Sequence, residues 1–445
     1  MNALSSVPST ARRRRALLIV FCVVSSVWFQ AAARAAGTNL TAKAELGFGI
    51  GYDSNVYLQD VEPDPAGVAE AAASGLEVVR PNQGSVVATV LPRFSAAYVP
   101  GSAFRVNAAY SPELVYYTDE PSEDHVIHRG TLGLGGTVGK ATWELPNTFL
   151  YIDGGDLGPT FGLPGDIPAI GGVPMRDRRQ AFIFRNSFKV SYPVGKFLLR
   201  PVATAYLHDF QTQQRPSGTG YRYENYIDRL EVTGGMDALY AVADRTHLLA
   251  GYRFGFQEQH KLLGVDSPYD NHLHRFLVGA EGSPWSWLRL AVLAGPDVRV
   301  FHDDRLSTVV PAFQDDELLV YVDAVVTVSP TTRDTVTLLN RRYEQPAFGS
   351  PSMYEDVTYD ATWRHQFDPR WSARAGFRIY LGDWQGPVNR EDWIYTVSGG
   401  VAWAPLPKVT AELGYGYDWV DSKVPNTAGR EFTRHLVGLN VKYAF

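Results

Sequence analysis

Three things are scarce in this 445-residue sequence: cysteine, long apolar runs and net positive charge. The single cysteine, Cys22, lies near the amino terminus, so the rest of the chain has neither disulfides nor thiol chemistry. Beyond that region no run reaches the roughly eighteen apolar residues that a transmembrane helix needs. The formal net charge of −6 argues against nucleic acid as a partner.

The amino terminus has the three parts of a secretory signal peptide. Four arginines at positions 12–15 precede the apolar run Ala16–Phe29, and Ala33-Arg34-Ala35 forms a small-residue cleavage site. The run is too short to span a membrane comfortably, which disfavours a membrane anchor. We therefore predict a signal peptide over residues 1–35 and one domain over residues 36–445. Because the signal peptide holds five arginines and no acid, its removal changes the net charge from −6 to −11.

The last stretch of the chain, Thr433–Phe445, shows the pattern that recurs throughout the sequence. One set of alternate residues is apolar, and the other set is polar or small. A two-residue period predicts a β-strand with one apolar face and one polar face. The apolar set is Val437, Leu439, Val441, Tyr443 and Phe445, and the other set is Arg434, Gly438, Asn440, Lys442 and Ala444.

The same alternation predicts about eighteen strands, each long enough to cross a bilayer when the strand is tilted. The first is Ala42–Tyr52, and the least distinct one contains Val336 and Leu338. Short and long connections alternate along the chain, as in barrels with short periplasmic turns and long outer loops. The connection 53–83 contains an Ala-rich piece that favours one or two helical turns, and 153–178 is an apolar, turn-rich loop that is either a lumenal plug or a surface loop.

Aromatic residues lie near both ends of many apolar faces, for example Trp143 with Tyr151 and Trp393 with Trp403. A soluble β-sandwich or propeller buries Val, Leu and Ile on this face, whereas a membrane barrel has aromatic girdles at two interfaces. We therefore predict an all-β fold: a transmembrane, antiparallel, up-and-down β-barrel of about 18 strands. Its location is the Gram-negative outer membrane, surrounded by lipid, with both termini in the periplasm.

If the apolar face meets lipid, the other face lines the lumen, where arginine and lysine outnumber the acids. A basic lumen attracts anions, and lumenal tyrosines supply faces on which sugar rings stack. Ion pairing that only neutralises buried charge is the alternative explanation. The predicted pore-lining bases are Arg93, Arg105, Arg129, Arg185, Arg200, Arg229, Arg253, Arg275, Arg289, Arg299, Arg341, Arg374, Arg378 and Arg434.

Patterns typical of enzymes are weak in this sequence. His272 and His274 share one strand face, but the sequence offers no evident third zinc ligand. The run His302-Asp303-Asp304 has a His–Asp pair in a predicted outer loop, without the further acids of an outer-membrane protease. We predict no enzymatic activity, no catalytic residues, no cofactor and no metal.

Two features resemble bacterial outer-membrane barrels: the terminal Phe445 on an alternating strand, and Gly51-Tyr52-Asp53-Ser54-Asn55-Val56 after the first strand. The chain after the signal peptide, with its Arg-rich face, is similar to polysaccharide-export porins such as the alginate exporter. The resemblance implies export of a secreted, acidic polysaccharide with a separate periplasmic polysaccharide export protein, and membrane insertion by machinery that reads the last strand. A general or anion-selective solute porin, and a non-conducting structural or surface-binding barrel, remain alternatives.

Overall fold

The computed structural model describes residues 39–56, 83–153, 180–211, 213–214, 223–224, 228–259, 269–302, 316–346, 353–384, 390–422 and 432–445. The predicted signal peptide, the helical turns expected within 53–83 and the loop 154–178 lie outside these residues. No helix of the described residues is long and apolar enough to span a bilayer.

The described chain is almost entirely β-structure, with one short 3₁₀ turn at Pro121–Glu123. The strands are β1 Leu40–Asp53, β2 Ser85–Tyr98, β3 Arg105–Tyr110, β4 Glu113–Tyr117, β5 His125–Val138, β6 Ala141–Asp153, β7 Ala181–Val194, β8 Phe197–Phe210, β9 Gln213–Gln214, β10 Tyr223–Glu224, β11 Arg229–Ala243, β12 Thr246–Gln259, β13 Asn271–Trp285, β14 Leu288–Phe301, β15 Asp316–Val328, β16 Asp334–Pro346, β17 Met353–Gln366, β18 Trp371–Trp384, β19 Arg390–Leu406, β20 Val409–Ser422 and β21 Thr433–Ala444.

These strands close into a single antiparallel barrel of eighteen staves. β3 and β4 form one stave, because both pair with β2 and with β5, and a proline at position 112 separates them. β9 and β10 form a small separate hairpin. The last strand, β21, pairs with β1 from Glu45↔Ala444 to Asp53↔Leu436, which closes the circle. The predicted all-β barrel of about 18 strands is therefore confirmed.

The two ends of the barrel differ in their connections, as the sequence predicts. At the short-turn end, β5 joins β6 and β7 joins β8 through two-residue turns that contain Gly139 and Gly195. Both glycines have φ near +60°, a left-handed conformation that a β-carbon disfavours. The other end, the long-loop end, has the long connections that follow β1, β6 and β14.

The outer face of the barrel is apolar and the inner face is charged. Large apolar side chains such as Phe48 and Ile50 on β1 are about half exposed, and Leu318 on β15 is 73% exposed. Aromatic stacks occur towards both ends of this face: Trp371 lies 5.7 Å from Trp403, and Tyr395 lies 4.8 Å from Trp419. An apolar belt with aromatic borders is the outer surface of a membrane barrel.

A polar pair lies on the outer face among the apolar side chains. Asn147 on β6 and Asn186 on β7 occupy outward positions, and the Asn186 amide donates a 2.6 Å hydrogen bond to the Asn147 side-chain oxygen. The Asn147 amide in turn donates to the backbone carbonyl oxygens of Leu132 and Leu145 at 2.9 and 3.1 Å. These partners satisfy amides that are costly to leave unpaired in an apolar setting.

The seam between β15 and β16 is shorter than its neighbours. β14 pairs with β15 along the whole of β15, and β16 pairs with β17 along the whole of β16. Among the described residues, β15 and β16 pair with each other only from Val322↔Arg342 to Val328↔Val336, at the short-turn end. The wall of the barrel therefore divides along this seam above Val322, towards the long-loop end.

Candidate functional site

All fourteen predicted pore-lining arginines occupy positions that alternate with the exposed apolar residues, on the inner face. They do not form one continuous free surface, because most of them are paired with carboxylates. Ten lie within 3.7 Å of a carboxylate oxygen: Arg105, Arg129, Arg200, Arg253, Arg275, Arg299, Arg341, Arg374, Arg378 and Arg434.

A chain of ion pairs crosses four neighbouring staves. Arg200 on β8 contacts Asp237 on β11 at 3.1 Å and Glu281 on β13 at 2.9 Å. Arg253 on β12 approaches the other oxygen of Asp237 at 2.7 Å. Because these side chains fix each other, this part of the inner wall is a rigid, largely neutralised lattice.

A second group centres on Asp297 of β14. Arg275 on β13 lies 2.6 Å from this carboxylate, and Arg299 on β14 lies 3.7 Å from it. Arg299 is fully buried and also donates a 3.1 Å hydrogen bond to the side-chain oxygen of Gln257. Two guanidinium groups thus share one buried carboxylate, which leaves positive charge at this point of the wall.

The remaining four predicted arginines are placed differently. Arg185 and Arg229 lie near the ring of Tyr206, with guanidinium carbons 5.1 and 4.6 Å from the ring centroid. At these distances the guanidinium groups make cation–π contacts with the tyrosine ring. Arg93 and Arg289 are exposed positions on the inner face, away from this group.

The basic groups of β7 to β16 converge on one cavity of about 550 Å³ in the inner wall. Two of its lining residues, Arg275 and Tyr321, are in contact, with the guanidinium carbon 4.0 Å from the centroid of the tyrosine ring. Its seven basic side chains are Arg185, Lys189, Arg229, Arg253, Arg275, Arg299 and Arg341, its carboxylates are Glu231, Asp323 and Glu344, and its tyrosines are Tyr206, Tyr321 and Tyr343. This combination of guanidinium forks and aromatic rings is suited to an anionic ligand with a flat apolar or sugar-like face.

The other predicted arginines are on other parts of the wall. Arg105 pairs with Glu144 at 3.0 Å, Arg129 with Glu113 at 2.6 Å, Arg374 with Glu412 at 2.6 Å and Arg378 with Asp360 at 2.9 Å. None of these lines the basic cavity. Alternation along a strand predicts the face of each arginine, but not its partner, since the partner depends on the register of neighbouring strands.

Arg434 belongs to a group of hydrogen-bonded residues at the closing seam between β1 and β21. In the sequence, the segment Gly51–Val56 of this group is noted only for its resemblance to other outer-membrane barrels. Its guanidinium makes two hydrogen bonds, of 2.9 and 2.8 Å, to the fully buried carboxylate of Asp53. The backbone N–H of Asn55 donates to the same carboxylate at 3.0 Å. The hydroxyl of Ser54 accepts a 2.8 Å hydrogen bond from the backbone N–H of His435. The segment Gly51–Val56 thus joins the first and last strands at the long-loop end.

The histidine pair noted in the sequence has a third imidazole beside it. His272 and His274 lie on the outer face, and the Nδ1 of His272 is 2.8 Å from the Nε2 of His302, which directly follows β14. The described residues contain no group of side chains arranged to hold a metal ion. Asp303 and Asp304, the other members of the predicted loop pair, lie outside the described residues.

A cluster of apolar side chains lies at the long-loop end of the barrel, beside the end of β14. Tyr269, which precedes β13, packs with Phe301 at the end of β14 and with Met353 at the start of β17. Burial raises the pKa of Tyr269 to about 12. The cluster connects β14 to β17 although β15 and β16 lie between them in the barrel.

No family model matches the chain, and no curated protein matches its sequence. Among solved structures, the chain is similar to the outer membrane protein OpdK of Pseudomonas aeruginosa, with 11% identity, a TM-score of 0.42, and coverage of 91% of this chain and 98% of that one. It is also similar to the FrpB iron transporter of Neisseria meningitidis (10%, 0.43, 94% and 83%). A structure described as a bacterial polysaccharide outer membrane secretin gives 8% identity, a TM-score of 0.33, and coverage of 92% and 100%. Likenesses this distant carry no argument about function.

Proposed function

We propose that this protein is an outer-membrane channel that exports a secreted, acidic polysaccharide through its basic lumen. The observation that supports the proposal is the 550 Å³ cavity, where seven basic side chains outnumber three carboxylates and tyrosines stand among them. Arginine forks bind carboxylate groups of a chain, and aromatic faces allow sugar rings to slide past without tight binding. Many weak anion contacts are what conduction requires.

We also propose a cellular setting for such a channel. We place residues 1–35 in a removed signal peptide, both termini in the periplasm and the long loops outside the cell. As an exporter, the barrel works with a separate periplasmic polysaccharide export protein, and its last strand is read by the barrel-insertion machinery. Lipid of the outer membrane covers the apolar outer face.

A second candidate function is diffusion of small anionic solutes. The extensive ion pairing favours it, because paired arginines such as Arg200 and Arg253 leave less free positive charge than the sequence alone indicates. A non-conducting structural barrel is the third candidate. Conductance of the purified protein in a planar bilayer separates the third candidate from the first two.

Arg185 is the best position at which to test the basic path. An acidic residue in place of Arg253 or Arg275 would lie beside the buried carboxylate of Asp237 or Asp297, and the repulsion between the two negative charges would destabilise the fold. Arg185 lines the cavity and contacts Tyr206 instead. One unit charge about 8 Å from a permeating ion in water contributes about 0.5 kcal/mol, so Arg185→Gln should lower the anion-to-cation permeability ratio by about twofold.

The matched control removes one positive charge outside the cavity. Arg370 is exposed in the connection between β17 and β18 at the short-turn end, and Arg370→Gln should leave the permeability ratio unchanged. Equal ratios for Arg185→Gln and the unaltered protein would count against a basic path. Block of the conductance by an acidic polysaccharide, but not by a neutral one, distinguishes polysaccharide from small-solute passage. Normal surface polysaccharide after deletion of the gene would reject the export function.

A further inference from the structure

The inner wall beside the short-turn end carries positive charge that no carboxylate compensates. Among the seven residues of each stave nearest the short turns, every inward acid except Glu45 lies within 3.5 Å of a basic side chain. The same region has five inward bases that are exposed and make no ion pair with a described residue: Lys43, Arg93, Arg289, Arg364 and Lys442.

Arg364 is the base with the least compensation, because it faces another arginine. Arg364 on β17 lies directly opposite Arg374 on β18 in the antiparallel ladder, and both point inward. Like charges at opposite positions of two strands are unfavourable. Arg374 is paired with Glu412, with 2.6 Å between its Nε and a carboxylate oxygen, whereas no described carboxylate pairs with Arg364. One positive charge therefore remains uncompensated at this point of the lumen.

A similar pair deeper in the barrel is compensated by the protein itself. Arg253 on β12 lies opposite Arg275 on β13. Each of these buried arginines has its own buried carboxylate, Asp237 at 2.7 Å and Asp297 at 2.6 Å. Near the short turns the second carboxylate is missing, and an anionic group that enters from the lumen between the arginines of β17 and β18 supplies it.

A second group of uncompensated bases lies on the inner face of the closing seam. Glu45 on β1 faces Arg93 on β2, and Lys43 occupies the neighbouring inward position of β1. Lys442 on β21 lies opposite Gly47, the next inward position of β1. Three bases thus surround one carboxylate across three staves. A group that extends over several strands suits a chain with repeated anionic groups better than a single small ion.

The opposite end of the barrel is acidic. The connections at the long-loop end contain twenty acidic and ten basic residues. A dissolved polyanion is therefore repelled from this end and attracted to the uncompensated bases at the other. The connections counted are 54–84, 118–124, 154–180, 211–228, 260–270, 302–315, 347–352, 385–389 and 423–432.

We propose that the lumenal mouth at the short-turn end is the capture site for a polyanionic chain, and that Arg364 and Arg374 together bind one of its anionic groups. The bases at the closing seam bind further groups of the same chain. The proposal rests on the proposed export function for the identity of the chain, and it adds where and from which side the chain first binds. Guanidinium groups bind carboxylates in general, so polyglutamate is a suitable probe.

Binding of fluorescent polyglutamate, measured by anisotropy with the full-length barrel in phosphatidylcholine nanodiscs, tests the arginine pair. Arg364→Gln should weaken binding about fivefold, the effect of one unit charge at about 4 Å in water. Glu412→Gln releases Arg374 from its ion pair and should strengthen binding by a similar factor. Absence of binding, or equal affinities of both variants and the unaltered protein, would overturn the proposal.

The matched control removes the same charge from the same hairpin. Arg370 is exposed in the turn between β17 and β18 and does not belong to the inner wall. Arg370→Gln should change the affinity for polyglutamate less than twofold, and a loss equal to that of Arg364→Gln would contradict a site at the arginine pair. All variants must show the heat-modifiable mobility of folded barrels.

The side of capture is tested by conductance of single channels in known orientation. Gly101 lies in the short connection between β2 and β3, where an added β-carbon meets no atom within 4 Å, so a thiol at Gly101→Cys marks this side for an impermeant reagent. Polyglutamate should block the current from this side at a concentration at least tenfold lower than from the long-loop side. Equal block from both sides would refute the direction of capture, and neutral dextran should block from neither.

The capture site and the export function can fail separately. Normal surface polysaccharide after deletion of the gene would reject export, while sided binding of polyglutamate that depends on Arg364 would still support the capture site. Loss of surface polysaccharide together with binding that does not depend on Arg364 would support export and reject this site.

Discussion

The buried pair between Asp53 and Arg434 allows a quantitative test of how the barrel is closed. Asp53 is fully buried and its carboxylate accepts three hydrogen bonds, two from Arg434 and one from the backbone of Asn55. Asp53→Ala removes the nearest carboxylate from a buried guanidinium and leaves Asp418, at 3.8 Å, as a weaker counter-charge. Removing one partner of a buried pair costs about 3–5 kcal/mol, and Asp418 places this variant near 3 kcal/mol.

The assay is reversible urea unfolding in phospholipid vesicles, with the free energy of unfolding compared between variants. The control pair is Arg374 with Glu412, which also joins strands at hydrogen-bond distance but has side chains 43% and 30% exposed. Glu412→Ala should cost about 0–1 kcal/mol, because water screens an exposed pair. Costs for Asp53→Ala and Glu412→Ala that agree within about 1 kcal/mol would refute the reasoning. Asp53→Leu with Arg434→Met should restore much of the stability, since no buried charge is then left unpaired.

Two further predictions concern the outer face and the divided seam. Asn147→Leu or Asn186→Leu alone should cost about 1–3 kcal/mol, because each removes one partner of the hydrogen bond between the two side chains, whereas the double variant should be nearly neutral. The same unfolding assay measures this, and additive costs would contradict a shared hydrogen bond. In hydrogen–deuterium exchange, the backbone amides of 316–321 that point towards β16 should exchange faster than those of 436–443 in the closing seam, because 436–443 have ladder partners on both sides whereas the ladder between β15 and β16 stops at Val322. Equal exchange rates would mean that the seam is closed in the membrane.

The strands could be predicted because a lipid-facing strand must be apolar at every second position along its whole length. The prediction was least distinct at Val336 and Leu338, and the structure explains why. Farther along β16 the outward positions are occupied by Asn340 and Arg342, which break the apolar alternation. Arg342 is the last residue of β16 that pairs with β15, so the weak pattern lies beside the divided seam.

The contacts of the inner face could not be predicted in the same way. Arg200 reaches Glu281, 81 residues away, and Arg434 reaches Asp53, 381 residues away. Such pairs depend on strand register and on the closure of the circle, and both are set by the sum of all ladder pairings rather than by local pattern. The sequence therefore predicts which residues face inward, while the division into neutralised lattice and basic cavity requires the structure.

The closing seam between β1 and β21 and the seam between β15 and β16 differ in the interactions that join the strands where the backbone ladder ends. At the closing seam, β1 and β21 are joined beyond the ladder by the buried Asp53–Arg434 pair and by two hydrogen bonds between Ser54 and His435, one of them accepted by the Ser54 hydroxyl. At the β15/β16 seam, the first outward residue at the end of the ladder is Arg342, which pairs with Glu355 on β17 and not with β15. This outward pair therefore holds β16 to β17, and the inward contact between Arg341 of β16 and Asp323 of β15 is longer, at 3.5 Å, and exposed. If one seam of this barrel opens while the rest of the wall stays intact, the physical chemistry selects β15/β16, because an exposed ion pair stabilises less than the buried Asp53–Arg434 pair does.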